Sequence, residues 1–164
     1  REIFEIRKRD GKSHQQDFLT VGSMGHCSSI ALGIALAKPN KKIYCIDGDG
    51  AMLMHLGSLA TIGNIKPNNF YHILLNNEAH ESVGGQETAA KNIDLAKIVD
   101  AIGSSKVFCA ENLNELNKKI SELLYSDGPS FLEVKIQVGS RSDLGRPDIK
   151  PVDNKVSFMS FINR

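Results

Sequence analysis

Residues 42–77, KIYCIDGDGAMLMHLGSLATIGNIKPNNFYHILLNN, decide how this chain folds. Lys42 to Asp47 is a β-rich run that ends in Gly48-Asp49-Gly50. Ala51 to Ile62 has helical spacing, with Met54, Ser58 and Ile62 on one side, and Phe70 to Leu75 is again β-rich and apolar. A strand, a helix and a second strand in this order form a crossover unit, and such units build parallel sheets. Ligands of open parallel sheets sit at the carboxyl ends of the strands. Here those ends carry Gly48-Asp49-Gly50 and Asn76-Asn77.

Outward from this unit the alternation continues. Phe18 to Val21 reads as an earlier strand ending at Gly22, and Ser28 to Ala37 as a helix that stops near Lys38-Pro39. Asn76 to Asn92 has no period and reads as a long loop, a length that in a compact domain usually serves function. Ile93 to Ile102 is a helix with Ile93, Ala96 and Val99 or Asp100 in register, and Lys106 to Cys109 is a short strand. Asn112 is placed to cap the next helix with Glu115 as its capping-box partner. Leu113, Leu116, Ile120, Leu123 and Leu124 form that helix's apolar stripe, and Asp127-Gly128-Pro129 ends it. Ser130 to Val138 is the last strand, and Asn154 to Ile162 a closing helix. The expected fold is α/β, a three-layer sandwich whose mainly parallel sheet is flanked by helices.

The 164 residues suit one such domain with a core of its own. Twenty Lys and Arg against 19 Asp and Glu give a charge of +1, which offers nucleic acid or a membrane surface no electrostatic attraction. The N-terminus is charged and lacks the apolar stretch of a leader, so a cytoplasmic protein is expected. Cys27, Cys45 and Cys109 are far apart along the chain and match neither a disulfide framework nor a zinc spacing. The chain opens on Arg1 within a helix-like run, which suggests a piece of a longer protein or a processed subunit.

Gly48-Asp49-Gly50 permits close backbone approach, and the amides that follow suit a phosphate. Two nucleotide motifs are excluded. A dinucleotide fingerprint from Gly48 needs glycine where Leu53 stands, and a P-loop ending at Gly11-Lys12-Ser13 needs glycine where Ile6 stands. What remains is Gly-Asp-Gly, 25 intervening residues (51 to 75), then Asn76-Asn77. That pattern resembles the thiamine diphosphate motif, and the crossover unit lets Asp49 and Asn77 share one cation. Longer strings, residues 18–36, 47–60, 75–86 and 140–158, are similar to phosphonopyruvate decarboxylases. The chain departs from that family at Glu78, Glu81 and Glu87, where Gly, Asp and Pro are expected.

The resemblance implies thiamine diphosphate and magnesium (Mg2+) as cofactors. Asp49, Asn77 and the Ala79 carbonyl would be the metal ligands, completed by diphosphate and water. Gly48, Gly50, Ala51, His80 and Ser82, with Gly84 and Gly85 in the same loop, would cradle the diphosphate. Gly22, Ser23 and Met24 would form the pyrimidine side, with the Gly22 carbonyl accepting from the cofactor amino group and Met24 bending the cofactor. His26 and His80 are the candidates for contact with substrate or phosphate, whereas His14, His55 and His72 take structural or solvated roles. Arg141 and Arg146 are the cations available for a phosphonate.

The implied reaction is decarboxylation of a 2-oxo acid, phosphonopyruvate, to an aldehyde, phosphonoacetaldehyde, as in aminoethylphosphonate formation. The glutamate that activates the cofactor belongs to a pyrimidine-binding domain that 164 residues do not also hold. No catalytic glutamate is therefore assigned in this chain, which alone is expected to be inactive. The partner would be that domain, from the same protein or from another subunit, in a homo-oligomer. Two alternatives stand beside this reading: a sulfopyruvate decarboxylase β subunit, and a non-catalytic Rossmann-like nucleotide- or metal-binding module.

Overall fold

A computed structural model describes every residue except Ser105. The chain forms two compact units: Arg1–Gly22 with Gly139–Arg164, and Ser23–Val138. The helices and strands in chain order are α1 (Glu2–Arg9), α2 (Cys27–Ala37), β1 (Ile43–Gly48), α3 (Asp49–Met54), α4 (Ser58–Ile65) and β2 (Phe70–Asn76). They continue with α5 (Leu95–Ile102), β3 (Lys106–Ala110), α6 (Leu113–Tyr125), β4 (Ser130–Lys135) and α7 (Pro151–Ile162).

The larger unit holds a four-stranded sheet in the order β1-β2-β4-β3, and every neighbouring pair is parallel. Alternation sends Tyr71, Leu132, Val134 and Ala110 to one face, where they pack with Leu116, Ile120 and Leu123 of α6. Cys45, Phe70, His72 and Phe131 go to the other face. There Leu59 and Ile62 of α4 and Val99 of α5 close against Phe70, His72 and Phe131. Helix α2 covers β1 on this second face, where Ile43, Cys45 and Asp47 are buried. Strands β2 and β4, covered on both faces, are buried almost throughout, as inner strands of a parallel sheet should be. Helices, sheet and helices make the expected three layers.

The Asn112 cap of α6 is present, with Asn112 Oδ1 accepting from Glu115 N at 3.0 Å, but Glu115 Oε2 reaches back to the Glu111 amide at 2.9 Å, one residue before Asn112, so the expected capping box does not close. Other expectations change, among them the start of α7, which is Pro151 and not Asn154. The single helix over Ala51 to Ile62 is two helices, α3 and α4, separated by a turn at His55 to Gly57 in which the His55 amide bonds Met52 O. The apolar spacing runs unbroken through that turn, so periodicity alone joins the two. The last strand ends at Lys135, short of Val138.

The run Phe18 to Val21 forms no strand. It belongs to the smaller unit, where the buried Asn154 side chain of α7 takes its backbone instead. Asn154 Oδ1 accepts from Leu19 N at 2.9 Å and Nδ2 donates to Asp17 O at 2.8 Å. Phe18 packs edge-on against Phe158 with ring centroids 5.6 Å apart. Phe18 and the backbone at Leu19 tie the run to α7. No helix among the described residues is long and apolar enough to cross a membrane.

Candidate functional site

Asp49 stands at the tip of β1 and opens α3 with only 1% of its surface exposed. A buried carboxylate needs partners. One is Thr88, whose hydroxyl donates to Asp49 Oδ2 at 2.5 Å. In the β1–β2 register Gly48 lies opposite Leu75, so Asp49 and Asn76 leave the sheet side by side. Sequence reasoning passed over Thr88, although it also caps the short 3-10 turn Ala89–Lys91 by accepting the Ala90 amide. That capping pattern was its one legible signal.

The loop after β2 folds back over this tip. Asn77 Oδ1 accepts from Ala79 N at 3.1 Å, and its amide donates to Glu81 Oε2 at 2.8 Å. Ala79 pairs with Glu87 in an isolated antiparallel bridge. The bonds that hold the bridge, His80 N to Gln86 O and Thr88 N to Glu78 O, belong to its neighbours. The Ala79 carbonyl thus takes no part in the bridge and stays available as an oxygen ligand. His80 lies against Gly50 so closely that a Cβ there would collide with the ring Nδ1. Beside Gly48, by contrast, a Cβ would meet nothing within 4 Å, which leaves room for a ligand. Ser82 sits in the 3-10 turn Glu81–Val83, and the following Gly84 and Gly85 both have positive φ.

The acidic departures have cationic or amide partners. Glu87 pairs with Lys91 at 2.5 Å, and its hydrogen bond pushes the Lys91 ammonium above the usual range. Glu78 Oε1 lies 3.7 Å from Lys135, which also pairs with Glu133 at 3.0 Å. Burial lowers Lys135, but the bonds and charges of Glu133 and Glu78 together raise it. Buried Glu133 also accepts from Asn76 Nδ2 at 2.6 Å, and Asn76 Oδ1 accepts from Glu78 N. Asn76 thereby anchors the loop from below, a role the adjacent-asparagine pattern did not reveal.

The turn Ser23–Gly25 packs on α3 from the other side. A Cβ on Gly25, at φ 86°, would collide with His55 Nδ1 and crowd Met54 and the Ala51 carbonyl. Met24 is half-buried, and His26 immediately precedes α2 with its ring centroid 4.1 Å from that of His55. His55 lies in the turn between α3 and α4 and not within an element. Gly22 closes a segment of the smaller unit with φ 73°. In that unit Arg141 pairs with Glu5 and Asp143, and Arg146 is exposed.

The cysteine reading is corrected in part. Cys27 and Cys45, 18 positions apart, meet with their sulfurs 3.5 Å apart. Cys109 is exposed on β3. Spacing along the chain did not show the pair because α2 and β1 meet only through packing.

The family described as thiamine pyrophosphate enzyme, C-terminal TPP binding domain, matches residues 4–134. A phosphonopyruvate decarboxylase of Streptomyces viridochromogenes is 37% identical over 99% of this chain, and the chain spans 39% of that protein. The sulfopyruvate decarboxylase subunit beta of Methanocaldococcus jannaschii is 36% identical over 93% of the chain, which spans 80% of that subunit. A solved structure from Mycobacterium smegmatis, described as a thiamin diphosphate-dependent enzyme, superposes with a TM-score of 0.60 at 21% identity. It covers 72% of this chain and 23% of its own, and this likeness speaks to the fold.

Proposed function

Because the chain belongs to the family of thiamine pyrophosphate enzyme C-terminal TPP-binding domains, we propose that it holds the diphosphate and Mg2+ in a 2-oxo acid decarboxylase acting on phosphonopyruvate. The observation that carries this reading is the buried Asp49 carboxylate, clasped by Thr88 beside the loop of Asn77 and Ala79. Its oxygen donors are of the kind that magnesium takes: a carboxylate, a side-chain amide oxygen and a backbone carbonyl. The open space at Gly48 and the close seat of His80 on Gly50 fit a cradle for a diphosphate.

In this reading Asp49, Asn77 and Ala79 hold the metal. Gly48, Gly50, Ala51, His80 and Ser82 line the diphosphate, and Gly22, Ser23 and Met24 receive the pyrimidine side. Thiamine diphosphate, when bound, supplies the electron sink for decarboxylation. His26 and His80 are the groups able to exchange a proton or hydrogen-bond the substrate. A pyrimidine-binding domain, from the same protein or a partner subunit, would add the activating glutamate. The assembly would be a cytoplasmic oligomer.

The phosphonopyruvate assignment draws support from relatives that match along nearly the whole chain. A second reading, a sulfopyruvate decarboxylase β subunit, draws support from relatives of similar identity and comparable length. Both readings stand on the same metal site. Asp49→Ala in the full protein, followed by calorimetry with thiamine diphosphate and magnesium, tests it. Magnesium-dependent binding should weaken by at least about a hundredfold, beyond the usual effect of an outer-shell partner, with circular dichroism unchanged. Undiminished binding would remove the metal assignment.

A further inference from the structure

A second group of ligating side chains lies on the face of β1 that α2 covers. Cys45 and Asp47 share that face by alternation, and His72 stands directly across from Cys45 in the β1–β2 register. The ligand atoms of Cys45, Asp47 and His72 all lie within 4.8 Å of one another, and all three residues are buried. Cys27, the first residue of α2, brings its sulfur to 3.5 Å from that of Cys45.

The cluster is incompletely satisfied. The Gly48 amide holds Asp47 Oδ1 at 3.0 Å, while Asp47 Oδ2 lies 3.7 Å from His72 Nε2. That gap is too long for a hydrogen bond, and both atoms are buried with no hydrogen-bond partner. Orphaned buried polar atoms are rare and costly. The bond to Cys27, burial and the charges of Cys27 and Asp47 push the Cys45 thiol well above its usual range. Groups that resist each other's negative charge would all be relieved by one cation.

We propose that Cys45, Asp47 and His72, joined by Cys27 turning in from its place beside Cys45, form a site for a borderline-soft divalent cation, zinc by preference. Zinc bonds of about 2.3 Å to sulfur and about 2.0–2.2 Å to nitrogen and oxygen imply tetrahedral edges of about 3.3–3.8 Å. The sulfur pair should stand about 3.8 Å apart and the His72–Asp47 pair about 3.3–3.6 Å, so the observed 3.5 Å and 3.7 Å need shifts of only a few tenths of an ångström on binding. On binding, the two thiols release their protons to solvent, the imidazole binds neutral and the carboxylate binds ionised. Thiolate and imidazole disfavour magnesium, so the site is chemically distinct from that of Asp49. Four protein ligands leave no open position, which makes its role structural. The ion would clamp α2 to β1 and β2, and so hold the Ser23–His26 turn that leads into Cys27. Half-exposed Cys27 gives the ion its way in.

The test uses the full protein, stripped by a chelator, saturated with magnesium and titrated with Co2+ and then Zn2+. One cobalt per chain should bind with a thiolate-to-cobalt charge-transfer band, and zinc should displace it. Zinc should also protect half-exposed Cys27 from alkylation in the unmodified protein while exposed Cys109 reacts as before. Cys45→Ala and His72→Gln should each weaken cobalt binding by at least about tenfold, and Asp49→Asn should leave it intact. Absence of the charge-transfer band, or alkylation indifferent to zinc, would overturn the proposal. So would a Cys27–Cys45 disulfide that forms in preference to metal uptake. The alkylation arm needs no variant, so a misfolded mutant cannot shelter the idea.

Discussion

Glu78 sits at φ 59°, in the left-handed region where glycine is at home. The resemblance to phosphonopyruvate decarboxylases leads one to expect glycine at this place, and the backbone supplies the reason. The turn from β2 into the Asn77 loop needs a positive φ whatever residue carries it. A side chain there costs about 1–2 kcal/mol, and the contact with Lys135 at 3.7 Å offsets little of it. Glu78→Gly relieves that strain but adds unfolded-chain entropy, so stability should stay within about 1 kcal/mol of the parent. Glu78→Val, β-branched, should lose a further ~1–2 kcal/mol. Denaturant midpoints of the two variants check this, and equal midpoints would mean that the loop relaxes out of the left-handed region. At this scale the sequence singled out Asp49 and Asn77 for the proposed metal site by residue type and spacing alone. Thr88 was not, since nothing local joins it to a carboxylate 39 positions earlier.

Among the elements, α4 and α5 meet where Gly63 lacks a side chain. A Cβ there would collide with the carbonyl oxygen of Ile102, at the end of α5. Gly63→Ala should therefore destabilise by about 1–3 kcal/mol through overpacking. Gly33, inside α2, would meet nothing within 4 Å, so Gly33→Ala should instead stabilise by about 0.5–1 kcal/mol through helix propensity. Thermal or urea unfolding of the pair reads opposite signs from one chemical change, and shifts of one sign would refute the packing account. Elements with both a periodic stripe and a cap, such as α6, were readable within a residue or so. Helix α5 begins later than its apolar spacing suggested, because Asp94 takes the cap by accepting the Lys97 amide. The α3–α4 break was invisible to periodicity, which records the face a side chain occupies and not whether the backbone turns between.

For the whole molecule, the prediction concerns completeness. The chain spans 39% of the phosphonopyruvate decarboxylase relative and 80% of the sulfopyruvate β subunit. The proposed reaction needs an activating glutamate from a second domain. The 164-residue chain by itself should then give no decarboxylation above background, and adding the pyrimidine-binding partner should restore it. Competing phosphonopyruvate with sulfopyruvate in the restored enzyme should favour the former in kcat/KM. Preference for sulfopyruvate would transfer the assignment to the β-subunit reading, and turnover by the chain alone would end the two-part account.

The sequence by itself determined the strand–helix alternation from β1 to β4, the places of Asp49 and Asn77 just past the ends of β1 and β2, and the cap at Asn112. These follow from alternation, helical spacing and turn chemistry, which act over a few residues. Tertiary structure alone decided that Asn154 would hold the run at Leu19, that Thr88 would reach Asp49, that Cys27 would meet Cys45, and that His72 would stand across from Cys45. Those meetings depend on strand register and on which helix covers which face. Both are set by how the whole core packs, and no stretch of neighbouring residues records them.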